Sequence, residues 1–238
     1  MEIIPAIDIR GGRCVRLYQG DYSQETVFNE DPVTAALTWY SQGARWLHIV
    51  DLDGPIAGEP QNMEVVGAII KQTGLLIELG GGIRQEKVAE TLLSQGVSRL
   101  ILGTAAIENR ELVKKLCQKF GEAIAVSMDA RDGKIATRGW QKNTVVEVLP
   151  LCREMTEVGV RRFIYTDIGR DGTLTEPNFD MIKSLTVETN VPVIVAGGIS
   201  RPEHLGRLKK LGVEGAVIGK ALYTGDINLG EAIISFGT

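Results

Sequence analysis

Two aspartates stand at the ends of apolar runs in a pattern that suits proton transfer. Asp8 closes Pro5-Ala-Ile-Asp8, and Asp129 closes Ala125-Val-Ser-Met-Asp129. Two carboxylates at strand ends can work on one substrate from opposite faces, one taking a proton while the other gives one. A single strand-end aspartate reads more simply as a helix cap or a loop brace. The pair reads as catalytic because the chain repeats itself. Asp51 and Asp167, Gly81 and Gly197, and Gly103 and Gly219 are each 116 positions apart (167 − 51, 197 − 81, 219 − 103). Asp8 and Asp129 are separated by nearly the same interval (129 − 8 = 121).

The repeated glycines point to anions. Gly80-Gly81-Gly82 is followed by Arg84, and Gly103-Thr104 lies 22 positions beyond Gly81 (103 − 81). Gly197-Gly198 and Gly219-Lys220 repeat that spacing (219 − 197). Glycine lets an anion come close to backbone N–H groups, and a helix start adds a favourable dipole. A lone Gly-Gly is as well explained by a tight turn. Two such runs, each with a partner glycine, favour two phosphate cradles, with Arg84 and Lys220 adding charge. The expected ligand carries two phosphates at opposite sides of one site.

Other residues have weaker signals. Trp140 and Arg138 stand on a polar loop; the tryptophan is suited to pack on a ligand ring, and the arginine to bind phosphate or sugar. Thr166 is placed to hydrogen-bond a substrate or the Asp129 carboxylate. Asp51 and Asp167 read as residues that orient loops rather than react. His48, inside an apolar run, reads as a satisfied core histidine ahead of a proton shuttle.

The elements that must position these residues alternate regularly. Strands are predicted over Ile3–Asp8, Trp46–Asp51, Leu75–Gly80, Arg99–Leu102, Ala123–Asp129, Arg162–Asp167, Pro192–Ala196 and Gly215–Ile218. They are nearly continuous apolar runs, as in parallel strands covered by helices. Helices are predicted over Pro32–Gln42, Met63–Thr73, Gln85–Gln95, Glu108–Phe120, Thr144–Glu157, Asn178–Thr189, Pro202–Leu211 and Asn228–Ile234. Gly43, Gly96, Gly159 and Gly212 mark helix ends, and Asp31-Pro32 and Arg201-Pro202 mark helix starts. Eight βα units repeated four by four predict a (β/α)8 barrel, the TIM-barrel fold, as one domain of two half-barrels, about 1–120 and 121–238. An open doubly wound sheet is the alternative. Two long βα loops, Ile9–Asp31 and Ala130–Asn143, each of hairpin character, follow the first strand of each half. In a barrel they fall on the catalytic face.

Bulk properties narrow the partners. A net charge of −4 argues against nucleic acid or an anionic membrane, both of which need a basic surface. No apolar run reaches the roughly 18 residues that span a bilayer, and Met1-Glu-Ile-Ile-Pro5 is not a signal peptide. Three widely spaced cysteines (Cys14, Cys117, Cys152) suggest reduced thiols in a cytoplasmic protein. Only His48 and His204 are present, and no Cys/His cluster has metal-ligand spacing. No metal is expected.

The motifs resemble the HisA family of histidine biosynthesis. They are Pro5-Ala-Ile-Asp-Ile-Arg-Gly-Gly-Arg-Cys-Val-Arg-Leu-Tyr-Gln-Gly-Asp21, Gly80-Gly-Gly-Ile-Arg84, Asp129-Ala-Arg-Asp-Gly-Lys with Gly139-Trp140, Tyr165-Thr-Asp-Ile-Gly-Arg-Asp-Gly-Thr173 and Gly219-Lys-Ala-Leu-Tyr223. They cover the chain in order and add Gly20, Asp171 and Gly172 to the candidate binding residues. The resemblance implies isomerisation of phosphoribosylformimino-5-aminoimidazole carboxamide ribotide (ProFAR), in which a bisphosphorylated aminoaldose becomes the aminoketose by an Amadori rearrangement. No cofactor is implied, and a monomer is expected. Asp8 matches the family's proton acceptor and Asp129 its proton donor. Three alternatives stand beside this: an isomerase that also takes phosphoribosylanthranilate, the sister cyclase of imidazole glycerol phosphate synthase, and a non-catalytic phosphosugar-binding barrel. Ala6-Ile7-Asp8-Ile9-Arg10 fits the isomerase better than the cyclase, whose first strand resembles Cys-Leu-Asp-Val. Intact Asp8 and Asp129 argue against the third.

Overall fold

The computed structural model describes residues 1–238. The first half opens with strand β1 (Glu2–Arg10), a hairpin of β2 (Arg13–Tyr18) and β3 (Asp21–Asn29), and helix α1 (Pro32–Ser41). It continues through β4 (Trp46–Asp51), α2 (Gly54–Ala57), α3 (Met63–Thr73), β5 (Leu76–Gly80), α4 (Glu86–Ser94), β6 (Arg99–Leu102), α5 (Thr104–Glu108) and α6 (Arg110–Phe120). The second half repeats the order. β7 (Ile124–Arg131) leads into a hairpin of β8 (Lys134–Thr137) and β9 (Lys142–Glu147), then α7 (Val148–Val158) and β10 (Phe163–Asp167). α8 (Phe179–Glu188), β11 (Val193–Ala196), α9 (Pro202–Lys210), β12 (Gly215–Ile218), α10 (Lys220–Tyr223) and α11 (Leu229–Phe236) follow.

The barrel closes through parallel pairs only. β1 pairs with β4 on one side and β12 on the other. The circuit runs β4, β5, β6, β7, β10, β11, β12 and back to β1, as the (β/α)8 expectation requires.

Strand alternation decides what enters the barrel. In β1, Ile3, Ile7 and Ile9 pack against the helices, while Ile4 and Ala6 join the small cluster inside the barrel. Asp8 follows two positions on, so it too faces inward, at the mouth. β7 behaves alike: Ala125 lies in the inner cluster, and Ser127 and Asp129 line the mouth. The outer core of 56 buried residues lies between strands and helices, whereas the inner cluster holds 7. The space above that small plug is left for a ligand.

Two helix starts differ from expectation by more than one residue. Lys142–Glu147 is a strand, and the helix expected from Thr144 begins at Val148. Thr144, Val145 and Val146 are β-branched and suit a strand, and the Thr144 hydroxyl donates to the Ile135 carbonyl across the hairpin at 2.8 Å. The helix expected from Glu108 begins at Arg110. Asn109 caps it by accepting a hydrogen bond from the Leu112 N–H, and Glu108 belongs to the short α5. Neither α5 nor α10 is expected from the sequence, yet each begins directly after a repeated glycine, Gly103 or Gly219.

Candidate active site

The hairpins cross between the halves. β1 pairs with β12 as far as Pro5 and Ile218. Beyond that point β2 takes over, with Asp8 opposite Val15 and Arg10 opposite Arg13. The first hairpin therefore stands above the end of β12, in the second half. β8 likewise takes over from β6 along β7, and the Arg138 N–H donates to Thr104 Oγ1 at 2.9 Å. Each half thus covers the other half's glycines.

Arg16 shows the consequence. Its Nη1 donates to Asp8 Oδ2 at 2.9 Å and its Nη2 to the Ala6 carbonyl at 2.5 Å. The guanidinium lies against Gly219, where a Cβ would come within 2.8 Å of Arg16 Cζ. Arg16 Nε is buried without a partner.

Two adjoining cavities fill the barrel mouth. Gly81, Gly82, Arg84, Gly103, Thr104, Arg138 and Asp129 line one. Gly172, Gly197, Gly198, Gly219, Lys220 and Arg16 line the other. Asp8, His48, Val50, Trp140, Thr166 and Asp171 line both, so these residues mark the middle. Gly20 lines the first cavity, and Trp140 packs directly on it, joining the two hairpins.

The glycines also serve the backbone. Gly81 has φ +113° and Gly197 has φ +85°. A Cβ at Gly81 would strike the Asp51 carbonyl oxygen, and one at Gly197 would come within 2.8 Å of that of Asp167. Tight loop packing alone therefore requires glycine at both places, whatever binds there. Asp51 is fully buried and lines neither cavity. It accepts hydrogen bonds from the N–H groups of Asp53, Gly54, Gln61 and Asn62 and from Asn62 Nδ2. In the second half, Asn178 Nδ2 donates to Asp167 at 2.9 Å. These hydrogen bonds tie both aspartates to the loops that follow their strands.

The remaining candidates take distinct places. Thr166 is buried in register with Asp129 on neighbouring strands. Lys220 Nζ donates to the Gly172 carbonyl at 3.0 Å. Arg84 Nη2 donates to the Pro55 carbonyl at 2.8 Å, and Arg138 Nε to Glu108 at 3.0 Å, so both exposed guanidinium groups already have protein partners. Asp171 differs from the other carboxylates. Burial pushes its carboxyl up to about 6; Arg16 opposes that rise, while Asp8 and Asp129 add to it. His48 Nδ1 lies 2.7 Å from Glu78 Oε1, and the residue also faces both cavities. The sequence reading missed Glu78 and Arg99 as its partners. Their one signal is charge at inward positions of otherwise apolar strands.

Residues 2–228 match the family described as histidine biosynthesis protein. A protein of Dehalococcoides mccartyi (strain CBDB1) is 56% identical over 98% of this chain and 95% of its own length. One of Roseiflexus castenholzii is 50% identical over 99% of this chain and 100% of its own, and one of Synechocystis is 49% identical over 100% and 94%. Each is named a 1-(5-phosphoribosyl)-5-((5-phosphoribosylamino)methylideneamino) imidazole-4-carboxamide isomerase, that is, a ProFAR isomerase. A match through nearly the whole barrel, with about half of all positions identical, means that the chain belongs to the histidine biosynthesis protein family.

Proposed function

We propose that this chain is a ProFAR isomerase, converting the N-linked aminoaldose to the aminoketose by acid–base catalysis. The observation that carries the reading is the pair of glycine-walled cavities that meet at Asp8. A substrate with a phosphate at each end spans both, with its reacting ribose between them. Arg16 and Lys220 supply positive charge to one cradle; Arg84 and Arg138 stand at the other.

Asp129 gives a proton to the ribose ring oxygen, the C1′–O bond breaks, and the nitrogen lone pair forms a protonated Schiff base. Asp8, ion-paired with Arg16, takes the proton from C2′, and its electron pair flows to give the enolamine. Return of a proton to C1′ and loss of the hydroxyl proton at C2′ give the ketone. Net atoms are unchanged, as an isomerisation requires. Thr166, beside Asp129, and Trp140, over both cavities, hold the sugar and exclude water. These steps need no metal or organic cofactor.

One observation favours a second donor. With its carboxyl pushed up to about 6 by burial, Asp171 keeps part of its proton near neutrality, and it lines both cavities. If it donates, kcat/KM falls above about pH 6, and Asp171→Asn removes that limb.

The chain is proposed to act as a single-domain monomer in the cytoplasm; no helix is long and apolar enough to cross a membrane. The decisive assay offers purified protein ProFAR and, separately, phosphoribosylanthranilate. Turnover of ProFAR alone supports the isomerase reading, turnover of both establishes dual specificity, and turnover of neither overturns it.

A further inference from the structure

Three charged or polar side chains form one lateral row inside the barrel. His48 on β4 is in register with Glu78 on β5, and Glu78 is in register with Arg99 on β6. His48 Nδ1 lies 2.7 Å from Glu78 Oε1, and Arg99 Nη1 donates to Glu78 Oε2 at 2.6 Å. Trp46 flanks the row, with the Arg99 guanidinium 4.2 Å from its ring centroid. Glu78 is fully buried and Arg99 nearly so.

The repeat supplies an internal control. The residues 116 positions on are Ile164, Ile194 and Gly215. They form the same lateral row, with Ile164 in register with Ile194 and Ile194 with Gly215. Both isoleucines belong to the apolar cluster inside the barrel. The fold therefore accepts an apolar solution at these positions. Burying an ion pair costs desolvation that an apolar replacement avoids, so the charged row is not what closes this barrel. Its product is a histidine at the cavity floor in one half only, facing both cavities beside Asp8 and Asp171.

The carboxylate of Glu78, already paired with Arg99, can only accept at its other oxygen, so the proton between it and His48 belongs to Nδ1. We propose that Glu78 and Arg99 are positioning residues that hold His48 with Nδ1 protonated. Its unprotonated Nε2 then accepts a hydrogen bond from a hydroxyl of the reacting sugar between the two cradles. This rests on the isomerase reading for the identity of the sugar. The tautomer does not rest on it. Because the opposite wall presents Ile164, the acceptor also breaks the two-fold symmetry of the mouth, which helps a substrate with unlike ends to bind in one direction.

The test uses one spectroscopic and one kinetic arm. With only two histidines, 15N-detected NMR separates His48 from His204 by comparison with a His204→Asn sample. Near pH 8 the expected state of His48 is Nδ1 protonated and Nε2 bare. A proton on Nε2 instead overturns the proposal, whatever the substrate. Glu78→Gln/Arg99→Met removes both charges together, leaving no orphaned ion, and is expected to fold with a melting temperature near or above that of the parent. With ProFAR, at least a 10-fold loss of kcat is expected with KM changed less than 3-fold, since both cradles remain. Unchanged kcat in the folded double variant would assign the row a purely structural role. If the double variant does not fold, the tautomer arm decides, supplemented by Arg99→Lys, which keeps the charge and is expected to retain the Nδ1-protonated form. A parent protein that turns over no ProFAR, yet shows the expected tautomer, would fail the isomerase reading alone.

Discussion

Arg16, carried by the first half of the chain, rests on Gly219 of the second half while its Nη1 holds Asp8 at 2.9 Å. One side chain thereby ties a proposed proton acceptor to a proposed phosphate cradle. Arg16→Met removes both links. Charge-assisted hydrogen bonds of this kind are worth about 1.5–3 kcal/mol. Steady-state kinetics with ProFAR are expected to show kcat/KM reduced roughly 10- to 100-fold, through a raised KM and a lowered kcat together. An effect on KM alone would mean that Arg16 serves the cradle and not Asp8.

Asp8→Asn and Asp129→Asn keep the shape of each carboxylate and remove its acid–base chemistry. Each is expected to lower kcat by at least about 10²–10⁴, with substrate binding by calorimetry little changed. Near-parental turnover in either variant would remove that residue from the proton pathway.

Asp171 couples the site to stability. Its folded carboxyl, pushed up to about 6 by burial, binds a proton more tightly than the unfolded chain does, at about 3.9. Folding thus favours the protonated form, and stability falls as pH rises from about 4 to about 6. Asp171→Asn is expected to raise stability at pH 7 by roughly 1–2 kcal/mol, and to have little effect below pH 4. Thermal denaturation at the two pH values checks this; an equal gain at both would mean that ionisation is not the cause.

Gly81→Ala and Gly197→Ala test the matched loops. Each variant must place a Cβ against the carbonyl of Asp51 or Asp167 while holding a positive φ. A loss of roughly 2–4 kcal/mol in chemical denaturation is expected for each. A small loss at either site would show that its loop can move aside, and that the glycine serves chiefly to admit a ligand.

Trp140 faces both cavities and packs on Gly20. Trp140→Ala is expected to slow turnover at least 10-fold with a melting temperature within a few degrees of the parent, because its contacts are to the lids and not to the core. An unchanged rate would demote it to loop packing.

Much of this was legible in the chain. The sequence puts Asp8 and Asp129 at the ends of apolar strands, but β1 and β7 are buried on both faces, so which parity faces the barrel interior emerges only from the packing around it. The glycines of the two proposed cradles repeat at one interval, so the matched glycine loops that line the two cavities were readable without coordinates. The helix expected from Thr144 failed because β-branched residues beside a hairpin favour the strand, a choice made by pairing with β8. Glu78 and Arg99 went unnoticed because each looks like an isolated charge until their strands stand in register.

The sequence by itself determined the alternation of strands and helices, the repeat and the strand ends at which the carboxylates stand, because these follow from local periodicity and turn chemistry; it favoured a closed barrel over an open sheet, and the pairing of β1 with β12 closes it. Only the tertiary structure decided that each hairpin covers the opposite half, that Arg16 reaches Gly219, and that His48 is held by Glu78. It also decided that burial pushes the Asp171 carboxyl up to about 6. Those properties depend on register between distant strands and on the water their neighbours displace, and neither quantity is carried by any one stretch of chain.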